Sequence, residues 1–241
     1  IFFYLPMIGN IIAFKNYRIT TGLIGMFTSE WAGFKYFREF FTDPNFWLII
    51  RNTVGISVFK LIFSFPIPII FAILINEINC VWFKRFVQTV SYLPHFISWV
   101  VVSGIIFAFL SEDGGVINIL LQSVFPVKEP VSFLTDAKYF WGIAVISDAW
   151  KEFGWWAIIF ISAIVVIDPN LYEAASIDGA GRLSKIINIT LPGIKGAICI
   201  VLILSIGNLL GGGLSGSNFE QSYLMGNGLN NEASEVIQTY V

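Results

Sequence analysis

YEAASIDGAGRLSKIINITLP, residues 172–192, is a short charged stretch between two long apolar runs. Its reading decides the fold. Glu173, Ala174 and Ala175 favour helix. Asp178 can cap a second helix starting near Gly179, in which Leu183, Ile186, Ile187 and Thr190 recur at helical spacing. Glycine is costly inside a helix, so Gly179 suits the bend. Pro192 then opens the next apolar run. The expectation is helix–turn–helix with a nose of small residues, either resting on lipid headgroups or docking against another protein.

The flanks explain why such a segment interrupts the chain. Of 241 residues, 56% are hydrophobic and 12% charged. A soluble domain usually carries about 25% charged residues, so this balance indicates a membrane protein. Five apolar segments follow one another: 1–14, 52–76, 92–110, 140–167 and 192–214. The first is short for a span, which needs roughly 20 residues, and reads as the second half of one. Residues 15–51 form a long mixed connection whose aromatic stretch WAGFKYFREFF suits an interface. Residues 79–89 read as a short connection, 111–139 as a longer one, and 211–241 as a mostly polar tail.

Several functions find no support. The net charge of -2 gives no reason to expect nucleic-acid binding. There is no P-loop, so ATP hydrolysis by this chain is not expected, and no catalytic constellation is evident. The two cysteines, Cys80 and Cys199, read as free thiols without metal-like spacing. His95, the single histidine, reads as an interfacial or hydrogen-bonded residue, and Lys60 as a side chain snorkelling to the outer interface. A channel or secondary transporter would work through charges at mid-bilayer, and only one charged cluster breaks a span.

The spacing Glu173-Ala174-Ala175, then Gly179, then Ile189-x-Leu191-Pro192 matches the EAA loop of ABC-importer permeases. PMIGNIIAFKNY, FKRFVQTVSYLPHFISWVV and FEQSYLM resemble the branch that imports oligosaccharides and polysaccharide fragments, and the resemblance covers nearly the whole chain. It implies an all-α, polytopic membrane helix bundle of the type I importer permease kind. One transmembrane domain would occupy 1–241, with five of an expected six spans visible, the first clipped and the sixth beyond Val241. Residues 171–191 would be the cytoplasmic coupling loop. Glu173 would pair with a base on an ATPase, Ala174 and Ala175 would pack closely, and Asp178 and Gly179 would shape the turn. The implied partners are a second permease subunit, most often a different chain, two cytoplasmic ATPase subunits that bind ATP and Mg, an extracytoplasmic solute-binding protein, the saccharide and membrane lipid. The implied location is the bacterial cytoplasmic membrane.

For the sugar path, SDAWKEFGWW (147–156) is the expected wall. Counting back from Asp168 at about 1.5 Å per residue puts Asp148 roughly 30 Å and Trp155 roughly 20 Å away. Asp148 and Glu152 share a helix face, Trp155 follows at i+3, and Asn208 faces them from the next span. Sugar C–H faces stack on Trp while hydroxyls bond carboxylates.

Overall fold

The computed structural model describes residues 7–125 and 129–240. Among the described residues there is no β-strand, only an isolated bridge between Lys15 and Trp31. The chain falls into two compact units, Ile1–Trp47 and Leu48–Val241.

In the first unit, Gly9–Phe14 is a 3-10 helix, followed by α1 (Gly22–Thr28) and α2 (Lys35–Thr42). Phe14 gathers Trp31, Phe34 and Phe37 around its ring at 5.2–5.8 Å. The expected first span falls on residues 1–14, of which 1–6 lie outside the described residues.

The second unit carries the apolar spans. α3 (Phe46–Phe63), whose first two residues belong to the first unit, and α4 (Pro66–Asn76) run as one 31-residue apolar helix, Phe46–Asn76. Pro66 and Pro68 fall in the first turn of α4, where proline removes no helical hydrogen bond. α5 (Val81–Phe96) and α6 (Trp99–Leu110) meet at 100°. α7 (Val116–Val124) precedes the 29-residue helix α8 (Ala137–Val165), which Asp136 caps through the Lys138 N–H. α8 turns by 69° into α9 (Pro169–Ile177), and α10 (Arg182–Gly193) turns by 60° into α11 (Lys195–Gly207). α12 (Asn218–Met225) comes last among the longer helices. Among the described residues, one helix is long and apolar enough to cross a membrane alone, and up to four spans result if each bent pair counts as one.

Two connections differ from expectation. Residues 79–89 are largely helical, within α5, where Trp82, Phe86 and Val90 recur at i, i+4 and i+8 beside Lys84 and Arg85. The span expected over 192–214 stops as a helix at Gly207. Gly212, Gly213 and Gly216, with φ of +107°, +71° and +64°, then carry the chain through left-handed conformations that other residues rarely adopt.

α8 is the spine of this unit. Near its Val165 end, Ala157, Phe160 and Ile164 pack with Ala72, Ile194 and Val201. Toward its Ala137 end, Phe140 and Ala144 pack with Ile56, Met225, Ala233 and Val236. Gly154 brings α5 against α8: a Cβ there would sit 1.9 Å from the Ser91 carbonyl oxygen. Such small-residue contacts let helix backbones approach where lipid offers no hydrophobic drive for association.

Candidate functional site

Between the two apolar clusters lies a polar layer. Lys60 and Asp148, only 3% and 4% exposed, approach to 3.6 Å. Lys60 Nζ donates to Ser217 Oγ at 2.7 Å and Asn218 Oδ1 at 2.9 Å. Ser217 Oγ donates to Asp148 Oδ1 at 2.6 Å. Asn218 Nδ2 donates to Ser57 Oγ at 2.8 Å, and Gln221 Nε2 to the Ala144 carbonyl at 2.8 Å. Lys60 therefore points into the bundle and does not snorkel, because α12 supplies acceptors that a solitary lysine would have to seek at the interface. One turn further along α8 a second group forms. Lys151 Nζ donates to the His95 carbonyl at 2.7 Å and to Glu152 Oε1 at 3.1 Å. Glu152 Oε2 lies 2.8 Å from His95 Nδ1, and the His95 ring stacks on Trp155 at 4.4 Å.

Of the residues expected on the sugar path, Asp148 and Glu152 do share one face, but their carboxylates are engaged by the protein itself. The cavity beside them, bordered by Lys60, Trp156, Ser205 and Ser215, measures about 20 Å³. Ligand pockets run to about 300 Å³ or more, so no sugar ring fits there in this conformation. Trp155 keeps an accessible ring, 38% exposed. Asn208 lies apart from this cavity: its Nδ2 donates to the Gly213 carbonyl at 2.9 Å and holds the glycine loop, while Ser205 borders the cavity. Sequence reading missed Ser217, Asn218 and Gln221. Their signal was the spacing of polar residues at three and four along a segment otherwise read as tail. Among the described residues no cluster of His, Cys, Asp or Glu could hold a metal.

The segment 172–192 forms a braced turn. Gly179, at φ +75°, ends α9; its N–H reaches the Ser176 carbonyl and the Ala180 N–H reaches Ala175. This is the Schellman pattern, which glycine satisfies without a Cβ clash. Asp178 closes α9 as its C-cap, and Gly181 precedes α10, so Asp178 does not cap a second helix. The reason is local: the left-handed step at Gly179 delays the next helix. Lys185 Nζ donates to Ser176 Oγ at 2.6 Å, and the Tyr172 hydroxyl meets buried Thr190 at 3.0 Å. Glu173 and Ala174 face outward, and Ile177 is 87% exposed, with Leu171, Leu183 and Ile187 also open.

Protein LplB of Bacillus subtilis (strain 168) is 45% identical over all of this chain and 73% of its own length. The polygalacturonan/rhamnogalacturonan transport system permease protein YteP of the same organism is 44% identical over the whole chain and 72% of its length. A chain of a bacterial ABC transporter involved in the import of the acidic polysaccharide alginate superposes with a TM-score of 0.87 at 38% identity, covering 100% of this chain and 77% of that one. A model of the binding-protein-dependent transport system inner membrane component matches residues 57–241. With more than half the chain matched by that model, and with relatives similar over its whole length, the chain belongs to the family of binding-protein-dependent transport system inner membrane components.

Proposed function

We propose that this chain is one of two permease subunits forming the path of an oligosaccharide or polysaccharide fragment across the bacterial cytoplasmic membrane by alternating access. A second permease chain, a solute-binding protein and two cytoplasmic ATPase subunits complete the assembly, and ATP and Mg are bound by the ATPases. The saccharide class is supported by the relatives, one named for polygalacturonan and rhamnogalacturonan transport and another solved with an alginate pentasaccharide-bound periplasmic protein.

The observation that carries the reading is the exposed turn from α9 to α10. It is braced internally, presents unpartnered apolar side chains, and joins directly to the helices at 69° and 60°. A short rigid element so attached converts movement of a docked partner into tilting of spans. In this reading Glu173 pairs with a basic group on the ATPase, Ala174 and Ala175 permit close approach, and Asp178 with Gly179 sets the turn. Trp155 offers the sugar-facing surface, with Asp148 and Glu152 behind it and Asn208 fixing the loop after α11.

The test uses Glu173→Lys and Gly179→Pro in the assembled complex. Both are expected to insert normally and to lower saccharide import together with sugar-stimulated ATP hydrolysis, by about tenfold or more, as loss of a charge-assisted contact implies. Wild-type import by both variants at normal expression would remove the coupling assignment.

A further inference from the structure

Away from the polar layer, α3 and α8 leave an open groove of about 670 Å³ between them. Phe59, Phe63, Trp141, Val145 and Ile146 wall it, and Arg51, Lys138 and Glu232 stand at its mouth. The wall is preformed. The Trp141 ring fills the space over Gly55, where a Cβ would come within 2.3 Å of it, and its Nε1 donates to the Ala233 carbonyl at 3.0 Å. Phe59 stands edge-on to that ring at 5.5 Å. Phe63 and Ile146, at the far end, are 54% and 71% exposed. From Arg51 to Phe63 is twelve residues of α3, about 18 Å. Half of a hydrocarbon core about 30 Å thick is about 15 Å, so the groove runs the depth of one leaflet.

The mouth carries two charges that the protein does not neutralise. Lys138 is paired with Asp136. Arg51 directs its donors to neutral oxygens: Nη2 to Asn52 Oδ1 at 3.1 Å and to the Glu232 carbonyl at 2.8 Å. Among the described residues neither the Arg51 guanidinium nor the Glu232 carboxylate has an ion-pair partner within 4.0 Å. Both residues are exposed. A helix from another subunit would cover the apolar wall but would have to bring two counter-charges to one end. A phospholipid with an amine headgroup carries both, next to each other, above an acyl chain.

We infer that the groove between α3 and α8 is a phospholipid site selective for a primary-amine headgroup, as in phosphatidylethanolamine. The acyl chain lies along Trp141, Phe59 and Phe63. The phosphate takes the Arg51 guanidinium, whose fork matches phosphate oxygens. The headgroup ammonium donates to the Glu232 carboxylate. A trimethylammonium headgroup has no N–H to donate, and a glycerol headgroup has no positive charge. The site is independent of which solute crosses the membrane.

The test uses the full-length chain in its assembled complex, purified in detergent, with a photoreactive benzoylphenylalanine in place of Phe63. Dioleoyl phosphatidylethanolamine, phosphatidylcholine and phosphatidylglycerol are added in turn at equal concentration, and the crosslinked product is weighed by mass spectrometry. The lipid is expected to be captured, phosphatidylethanolamine about tenfold more than the other two, the scale of one charge-assisted contact. Arg51→Gln keeps an N–H donor for the Glu232 carbonyl but loses the charge, and is expected to lower capture of all three lipids about tenfold. Glu232→Gln keeps that carbonyl and is expected to bring the three lipids within about twofold of one another. A merely structural lesion would lower capture without changing the order of the lipids. Equal capture of the three lipids by the chain with Arg51 and Glu232 intact, or an unchanged order in Glu232→Gln, overturns the inference. Capture of a second polypeptide, or of another segment of this chain, makes the groove a protein interface and overturns it as well.

Discussion

Lys60 and Asp148 carry opposite charges through the interior of a membrane bundle. Either charge alone at the centre of a span is unfavourable by about 2.5–3.5 kcal/mol on insertion scales. Together, with Ser217 and Asn218 supplying the remaining hydrogen bonds, they are accommodated. Removing one partner strands the other. Lys60→Met is therefore expected to lower unfolding stability in detergent by about 3–5 kcal/mol, and Lys60→Met with Asp148→Leu to recover most of it. Equal loss in the single and double variants would deny the coupling. The sequence shows Lys60 as a lone charge in an apolar run, which reads as snorkelling, because its acceptors lie 157 and 158 residues away. The i, i+4 pairing of Asp148 with Glu152 was legible from spacing, but the engagement of both carboxylates by α12 and His95 was not, since side-chain partners across a bundle leave no local periodicity.

Helices were legible where apolar runs were long, and least so where polarity concealed them. The EAA spacing located α9 and α10 with their intervening turn, since glycine and proline punctuate the backbone directly. α12 was read as tail because Asn218, Gln221 and Ser222 are polar, yet these residues are buried. Polar side chains facing a polar layer follow the same helical spacing as apolar ones facing a core, and hydropathy alone sees only the second. The contact of α5 with α8 rests on Gly154. Gly154→Ala would force its Cβ into the Ser91 backbone and is expected to lower stability by about 1–3 kcal/mol, with loss of the His95–Trp155 stack. Gly142→Ala, on the same helix with nothing within 4 Å of the added carbon, is expected to be neutral or to stabilise by up to about 1 kcal/mol. Thermal unfolding of both in one detergent checks the contrast.

The second unit has two ends that bind different segments. At one, Arg182 lies 4.0 Å from Glu77, linking α10 to the residue after α4. At the other, Arg51 and Asn52 donate to the Glu232 carbonyl, and Trp141 Nε1 to that of Ala233. The proposed docking of the α9–α10 turn on a cytoplasmic ATPase would put residues 111–125, 129–136 and 227–237 outside the cell. After Cys80→Ser and Cys199→Ser, needed because both native thiols are exposed, Asp113→Cys should react with an impermeant thiol reagent in intact cells. Ser184→Cys should react only after permeabilisation; the reverse would invert the molecule. Asp113 is preferred to Gly114, whose φ of +74° favours glycine.

The distance between Lys60 and Ser217 along the chain also sets an order of events during synthesis. At about 5–20 residues per second, the ribosome adds the intervening segment over roughly 8–30 s. Throughout that interval the ammonium group of α3 has been made and its final acceptors have not. The nascent protein must keep this span near water, near lipid phosphate or within the insertion machinery until α12 emerges. The polar layer thus cannot assemble before α12 emerges, and a ribosome stalled before residue 217 would leave an accessible Lys60 that folded chains conceal.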